Sequence, residues 1–339
     1  MKKHFLYILV ALALGCTSCD KNPYHKNVSD IQVEFQTIPF HTDVENVGMQ
    51  NDENGFRELQ EKYGAFLDTY ITDVGRLTEI PENRTKLNIL HTFIINKWIQ
   101  ELYHLSDSAL QKNQPMLDKK ITNALKYFKY YFPERNIPKF YTFITGVNYS
   151  MAIDSNVIAI GIDKYLGAKC DFYNSMSIES YIRRNMVPEK IPADLMRALA
   201  ESEFPNAFDE DYLLATMIQH GRYQYFMKCM LPDEPDTLLW GFTAKQLDFC
   251  EKSEGEFWKY LISTENLLFS SDYMTQKRFV EDGPFTIVFT KDSPARVGQW
   301  IGFKIVESYM QNNPQTTLEE LFSIRSSKEI MSKARYNPK

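Results

Sequence analysis

The chain has 339 residues and a formal net charge of −6, with 44 acidic side chains against 38 lysines and arginines. That balance excludes a nucleic-acid binder, whose footprint is a basic patch. Aromatic residues make up 14% of the sequence and supply large side chains to bury, and a chain of this length hides roughly three quarters of its unfolded surface without disulfide staples.

The chain opens with Lys2 and Lys3, runs apolar from Phe5 to Leu14 with Tyr7 the one interruption, and leaves through Gly15, Cys16, Thr17, Ser18 and Cys19. Charge, short apolar stretch and small-residue exit form the layout of a cleaved secretion signal. The stretch is half the roughly twenty residues that a membrane-spanning helix needs, and no second run approaches that length. A cysteine after small residues at such an exit resembles the lipobox of bacterial lipoproteins, in which the thiol takes a lipid and becomes the first residue. Cys19, behind Thr17 and Ser18, fits better than Cys16, which has bulky Leu14 two positions before it. The reading is a signal over residues 1–19 and a body held by lipid at a membrane outside the cytoplasm. Beyond the lipidated residue remain Cys170, Cys229 and Cys250, enough for one disulfide at most.

Residues 20–30 are polar and turn-rich and read as a tether. Residues 31–40 alternate apolar and polar side chains at Ile31, Val33 and Phe35, the period of a half-buried strand. Apolar residues at three and four spacing predict a helix over 55–77, and two more follow near 84–103 and 115–132. Between 139 and 166 two β-rich runs are joined by Asp154, Ser155 and Asn156, which predicts a hairpin. The helical period then returns over 177–186, 193–204, 212–230, 243–268, 273–281 and 295–311, with prolines between the stretches. No long linker or repeat divides residues 31–339, so they form one α+β domain, rich in helix, with a small antiparallel sheet.

In the last of these helices Ser293 is placed to cap free amides, and Pro294 to take the first helical position. Gly298 and Gly302 each cost about 1 kcal/mol relative to alanine, so a neighbouring helix is expected to approach them closely. Arg296 and Trp300, four residues apart, share a face. Either Arg296 is a buried partner of Glu201, or these residues wall a partner-binding groove with Arg197 and His220.

None of the GxSxG, P-loop, GxGxxG or HExxH patterns occurs. Five histidines follow the signal, His25, His41, His91, His104 and His220, and none has a second histidine at metal-ligand spacing, so no metal or other cofactor is expected. Glu201 and Glu203 lie two apart on a helix and do not face each other, which argues against a paired acid and base. Arg183 and Arg184 read as a solvated helix face.

Seven runs then point to a family: GVNYSMAIDSNVIAIGIDKYLG at 146–167, YIRRNM at 181–186, LMRALAESEFP at 195–205, MLPDEPDTL at 230–238, SSDY at 270–273, DGPF at 282–285 and SPARVGQWIGFKIVESYM at 293–310. In this order they resemble the gliding-motility lipoprotein family GldB of Bacteroidota, over nearly the whole chain. The resemblance implies a lipid-anchored protein of the cell envelope, with envelope protein partners and a role linked to gliding and the type IX secretion machinery. The pattern is also distantly similar to zincin-like zinc peptidases. If AESEF at 200–204 is the counterpart of HExxH, Ala200 and Phe204 replace the histidine ligands, Glu201 stands at the general base, and His220 with Gly221 replaces a Glu-Gly pair. That implies a degenerate zincin-like fold without its metal, because zinc catalysis needs three protein ligands and an open water position. The alternative is a hydrolase with an atypical site at Glu201 and His220.

Overall fold

The computed structural model describes residues 22–75, 77 and 85–339. The signal and Cys19 lie outside the described residues, as does part of the junction between the first helices. The elements follow in chain order. Strand β1 (Thr37–Ile38) leads into α1 (Phe40–Gln50), α2 (Glu53–Tyr63) and α3 (Ala65–Thr69), the last continued by a π-helical turn at Tyr70–Val74. Then come α4 (Lys86–Ile94), α5 (Lys97–Tyr131), β2 (Lys139–Phe143), β3 (Met151–Asp154) and β4 (Val157–Gly161). The remainder is helical: α6 (Asp171–Ser175), α7 (Ser180–Arg183), α8 (Ile191–Glu203), α9 (Leu213–Met230), α10 (Asp236–Trp240), α11 (Ala244–Ser263), α12 (Tyr273–Val280), α13 (Val297–Asn312), α14 (Leu318–Ser323) and α15 (Ser327–Ala334). One apolar core runs through them, as expected for an α-rich α+β domain.

The sheet is mixed rather than antiparallel, with order β1-β2-β4-β3. The hairpin turns through Ser155 as predicted and pairs β3 with β4, but β2 lies parallel to β4, with Phe140 opposite Ile158. The run expected as one strand breaks at Gly146 and Val147, both at positive φ. Asp163, fully buried, holds this break: its Oδ2 accepts from the Thr145 and Val147 amides at 3.0 and 2.7 Å. Burial pushes that carboxyl up to about 6 against the pull of the two amides. The strand expected over 31–40 pairs only at Thr37 and Ile38, because Pro39, which has no N–H, closes it and helix begins at Phe40. Residues 22–30, expected as a tether, lie against the body instead, with Tyr24 and Val28 buried.

Pro115 does not end a helix, since α5 runs through it for 35 residues. Its buried residues fall in two blocks, from Ile99 to Ser106 and from Leu117 to Phe128, while Pro115 and Gln111 are exposed. The carbonyl that proline leaves without a donor is Gln111's, four residues back, where water reaches it, and packing on both flanks keeps the axis continuous. The expected 55–77 helix is instead divided at Gly64, whose φ is +52°.

The centre of the core is the crossing of α9 and α13. Helix α9 is buried all round, including Leu214, Met217, Ile218, Phe226 and Met230. A Cβ on Gly221 would fall 2.3 Å from the Gly302 carbonyl oxygen, and one on Gly302 would fall 1.8 Å from the Met217 oxygen. The two backbones therefore touch, the close approach expected from the glycines of α13. Gly298 meets Phe279 of α12 in the same way, with 2.9 Å available.

Replacing Gly302 with alanine must separate the two helices, so Gly302→Ala should cost about 3 kcal/mol or more in urea denaturation. Gly283→Ala, where the nearest atom is 3.9 Å away, should stay within about 0.5 kcal/mol. Equal losses in the two variants would show that the crossing is not the tight point.

Candidate functional site

Helices α8 and α9 bring together three of the five sequence-selected residues. Arg197 and Glu201, one turn apart on α8, pair at 2.5 Å from Nε to Oε1. The same guanidinium extends Nη2 to Nδ1 of His220 on α9 at 2.6 Å and lies over the Tyr223 ring, 4.7 Å from its centroid. Since arginine only donates, Nδ1 is the acceptor and the imidazole proton sits on Nε2. Burial, then the charges of Arg197 and Arg296, push His220 down to about 3. The histidine is thus neutral at physiological pH, and the cation it shares with Glu201 is a guanidinium. Ala200 is fully buried and Phe204 stacks on Phe322 at 4.1 Å, so both flanking positions serve packing. Glu203 turns away to Arg135 at 2.9 Å. Among the described residues no three His, Cys, Asp or Glu gather as metal ligands would.

Arg296 and Trp300 form a second cluster against the end of α10. Arg296 is not within α13, as Ser293 and Pro294 predicted, but is its N-cap residue at φ 62°. Ser293 instead donates to the Thr290 carbonyl at 2.8 Å and stabilises the preceding turn. The expected pairing with Glu201 is absent. Arg296 donates to the Trp240 carbonyl at 2.7 Å, lies over Phe242 and approaches Asp282 at 3.6 Å. Arg184, read from sequence as solvated, donates to the next carbonyl, Gly241, at 3.0 Å. Two guanidiniums thus meet the carbonyl end of α10, where the helix dipole favours positive charge. Burial, opposed by Asp282 and reinforced by Arg197 and Arg184, holds Arg296 below the usual arginine range. Trp300 is 3% exposed and packs on Trp240, ring centres 5.0 Å apart, with Lys304 over its face. Its Nε1 is buried and finds no hydrogen-bond partner among the described residues.

Sequence reasoning missed Arg222, the largest fully buried side chain among the described residues. It follows the crossing glycine by one position, donates to the Ile324 carbonyl at 2.7 Å and stacks over Phe208 at 3.9 Å. Burial pushes it down to about 9. A helix without a polar face signals such a residue, since every long polar side chain on it must find a partner inside.

The fold and these clusters define an α+β protein of the helical class whose polar residues are tied to one another and to backbone carbonyls. Residues 21–338 match the family described as gliding motility protein GldB, and the chain belongs to that family of lipoproteins. No curated protein and no solved structure matches it. Among the described residues no helix is long and apolar enough to cross a membrane.

Two measurements test the site. The unfolded chain takes up a proton at His220 near pH 6.5 and the folded one does not until about pH 3. Stability is therefore flat above 6.5 in this respect and lost as pH falls below it, at no more than about 1.4 kcal/mol per unit. His220→Gln should flatten the slope between pH 6.5 and 5 in urea denaturation, and an unchanged slope would assign it elsewhere. At Arg296, both alanine and glycine remove the bond to Trp240, but glycine also relieves the positive φ, worth about 1 kcal/mol. Arg296→Ala should therefore lower the Tm more than Arg296→Gly.

Proposed function

We propose that this chain acts without catalysis in the cell envelope, held to a membrane by lipid on Cys19, as a component or accessory of the machinery that links gliding to type IX secretion. The observation that carries the non-catalytic reading is the Glu201–Arg197–His220 chain. A general base needs a free carboxylate within reach of water or substrate, and a general acid needs a proton to give near neutral pH. Glu201 is engaged by Arg197, and His220 keeps its Nδ1 lone pair on the same guanidinium. The family match supports the lipoprotein and gliding-type assignment. Partners on this reading are the membrane, through the lipid, and other envelope proteins, met through the surface around α8 where Arg197 and Glu201 stand, while Trp300 is buried.

Cys19→Ala should release the body into the soluble fraction when envelope and periplasm are separated, while Cys16→Ala should leave it with membrane; the reverse result would move the lipid three residues. Glu201→Gln in the native strain should leave gliding, or secretion in a strain that does not glide, at the parental level. Loss of that phenotype with an unchanged Tm would instead support the hydrolase with Glu201 as its base.

A further inference from the structure

The body begins where the lipid would end. Asn22 donates to the Pro232 carbonyl at 2.8 Å, and His25 reaches Asp233 at 2.8 Å. Between them Tyr24 is buried, its hydroxyl donating to Glu307 at 2.8 Å and its ring edge-on to Tyr225 at 5.5 Å. Tyr127 of α5 closes the seam by donating to the Lys26 carbonyl at 3.2 Å. Asn22 therefore has a fixed place on the surface. Three peptide steps separate it from Cys19 and span at most about 10 Å. Whatever face surrounds Asn22 must stand within that distance of a lipid attached at Cys19.

That face holds a groove of about 690 Å³ between α5 and the loop after α9, lined by Lys119, Asn123 and Lys126 on one side and Leu231 to Glu234 on the other. Its carboxylates are largely engaged: Glu234 with Lys120 at 2.7 Å, Asp233 with His25, and Asp118 with the Gln114 amide at 2.6 Å. Lys119 and Lys126 show no ion pair among the described residues. One turn beyond Lys126, Tyr130 is 45% exposed. Lysines and a tyrosine are the side chains that suit the level of lipid head groups, where phosphate meets the ammonium and the ring straddles the boundary.

We infer that the face formed by residues 22–26, the loop at 231–234 and the Lys119 to Tyr130 side of α5 lies against the phospholipid head groups of the membrane that carries the lipid anchor. The inference rests on lipidation at Cys19. The body is then held in one orientation, with the groove turned to the bilayer and the opposite end of α9 turned away. That end is marked by Lys328, which lies over the Tyr212 ring just before the helix begins. Eighteen helical residues place it about 27 Å from the groove.

The test uses the lipid-modified full chain in vesicles of phosphatidylethanolamine and phosphatidylglycerol containing a lipid with a nitroxide at the head group. A fluorophore is attached at Asn123→Cys or at Lys328→Cys, each combined with Cys170→Ser to remove the half-buried native thiol. The expected result is quenching several-fold stronger at position 123 than at 328. Equal quenching in a chain whose mass includes the lipid overturns the orientation and leaves the anchor standing. A chain that lacks the lipid mass and does not float with vesicles overturns the anchor and the orientation together. Shielding of position 123 that requires other envelope proteins assigns the face to a protein partner and also overturns the inference.

Discussion

The structure depends on two helices whose backbones touch. Helix α9 and helix α13 cross at Gly221 and Gly302 with no room for a Cβ on either side, and this sets the depth at which every neighbour can pack. Interiors are close-packed, so a shift of one axis propagates. Met217, one turn before the crossing, touches both Gly302 and Gly298, and Phe279 of α12 closes on Gly298 from another side. Arg222, one residue after the crossing, donates to the Ile324 carbonyl at the end of α14 and so ties that short helix to α9. Helix propensity is given up at the glycines, and burial of apolar surface around them offsets it.

The polar residues follow from that packing. His220 sits one position before the crossing glycine, so its ring is held between α9 and α8 and loses much of its hydration. Arg197 supplies a donor to its one acceptor nitrogen, which keeps the ring neutral and oriented. The Arg296 end of α13 is fixed differently. There the chain adopts a left-handed residue, and two arginines answer the carbonyls at the end of α10. Both arrangements tie charge to fixed dipoles and leave each charged group with work inside the fold.

Much of this was legible in the sequence where a local rule and the tertiary demand agreed. The buried period of α9, the glycines of α13 and the hairpin at Ser155 each appear in the residues alone, because helix faces, close crossings and tight turns restrict residue type directly. The failures have physical reasons. Pro115 reads as the start of a separate helix, yet it lies inside a continuous one, on an exposed stretch where water serves the orphaned carbonyl and both flanks are packed. Ser293 and Pro294 read as a helix start, yet Thr290 claims the serine and Arg296 begins the helix from positive φ, a conformation that arginine does not announce. The break that follows β2 is held by Asp163, twenty residues beyond that strand, and no periodicity connects the two. Glu201 and His220 were singled out as a pair, but the guanidinium between them came from a residue selected for other reasons.

The docked amino-terminal segment also decides how the molecule meets mechanical load. A pull at the chain's first described residues enters through Asn22 at the loop after α9 and through Tyr24 at Tyr225 and Glu307, which belong to α9 and α13 themselves. The force path therefore runs straight into the tightest helix pair and bypasses the four-stranded sheet, whose β1 is joined to β2 by only two residue pairs. Strain would be shared first by aromatic packing and hydrogen bonds at the seam, which yield and re-form locally, while the glycine crossing behind them bears the load as a rigid block.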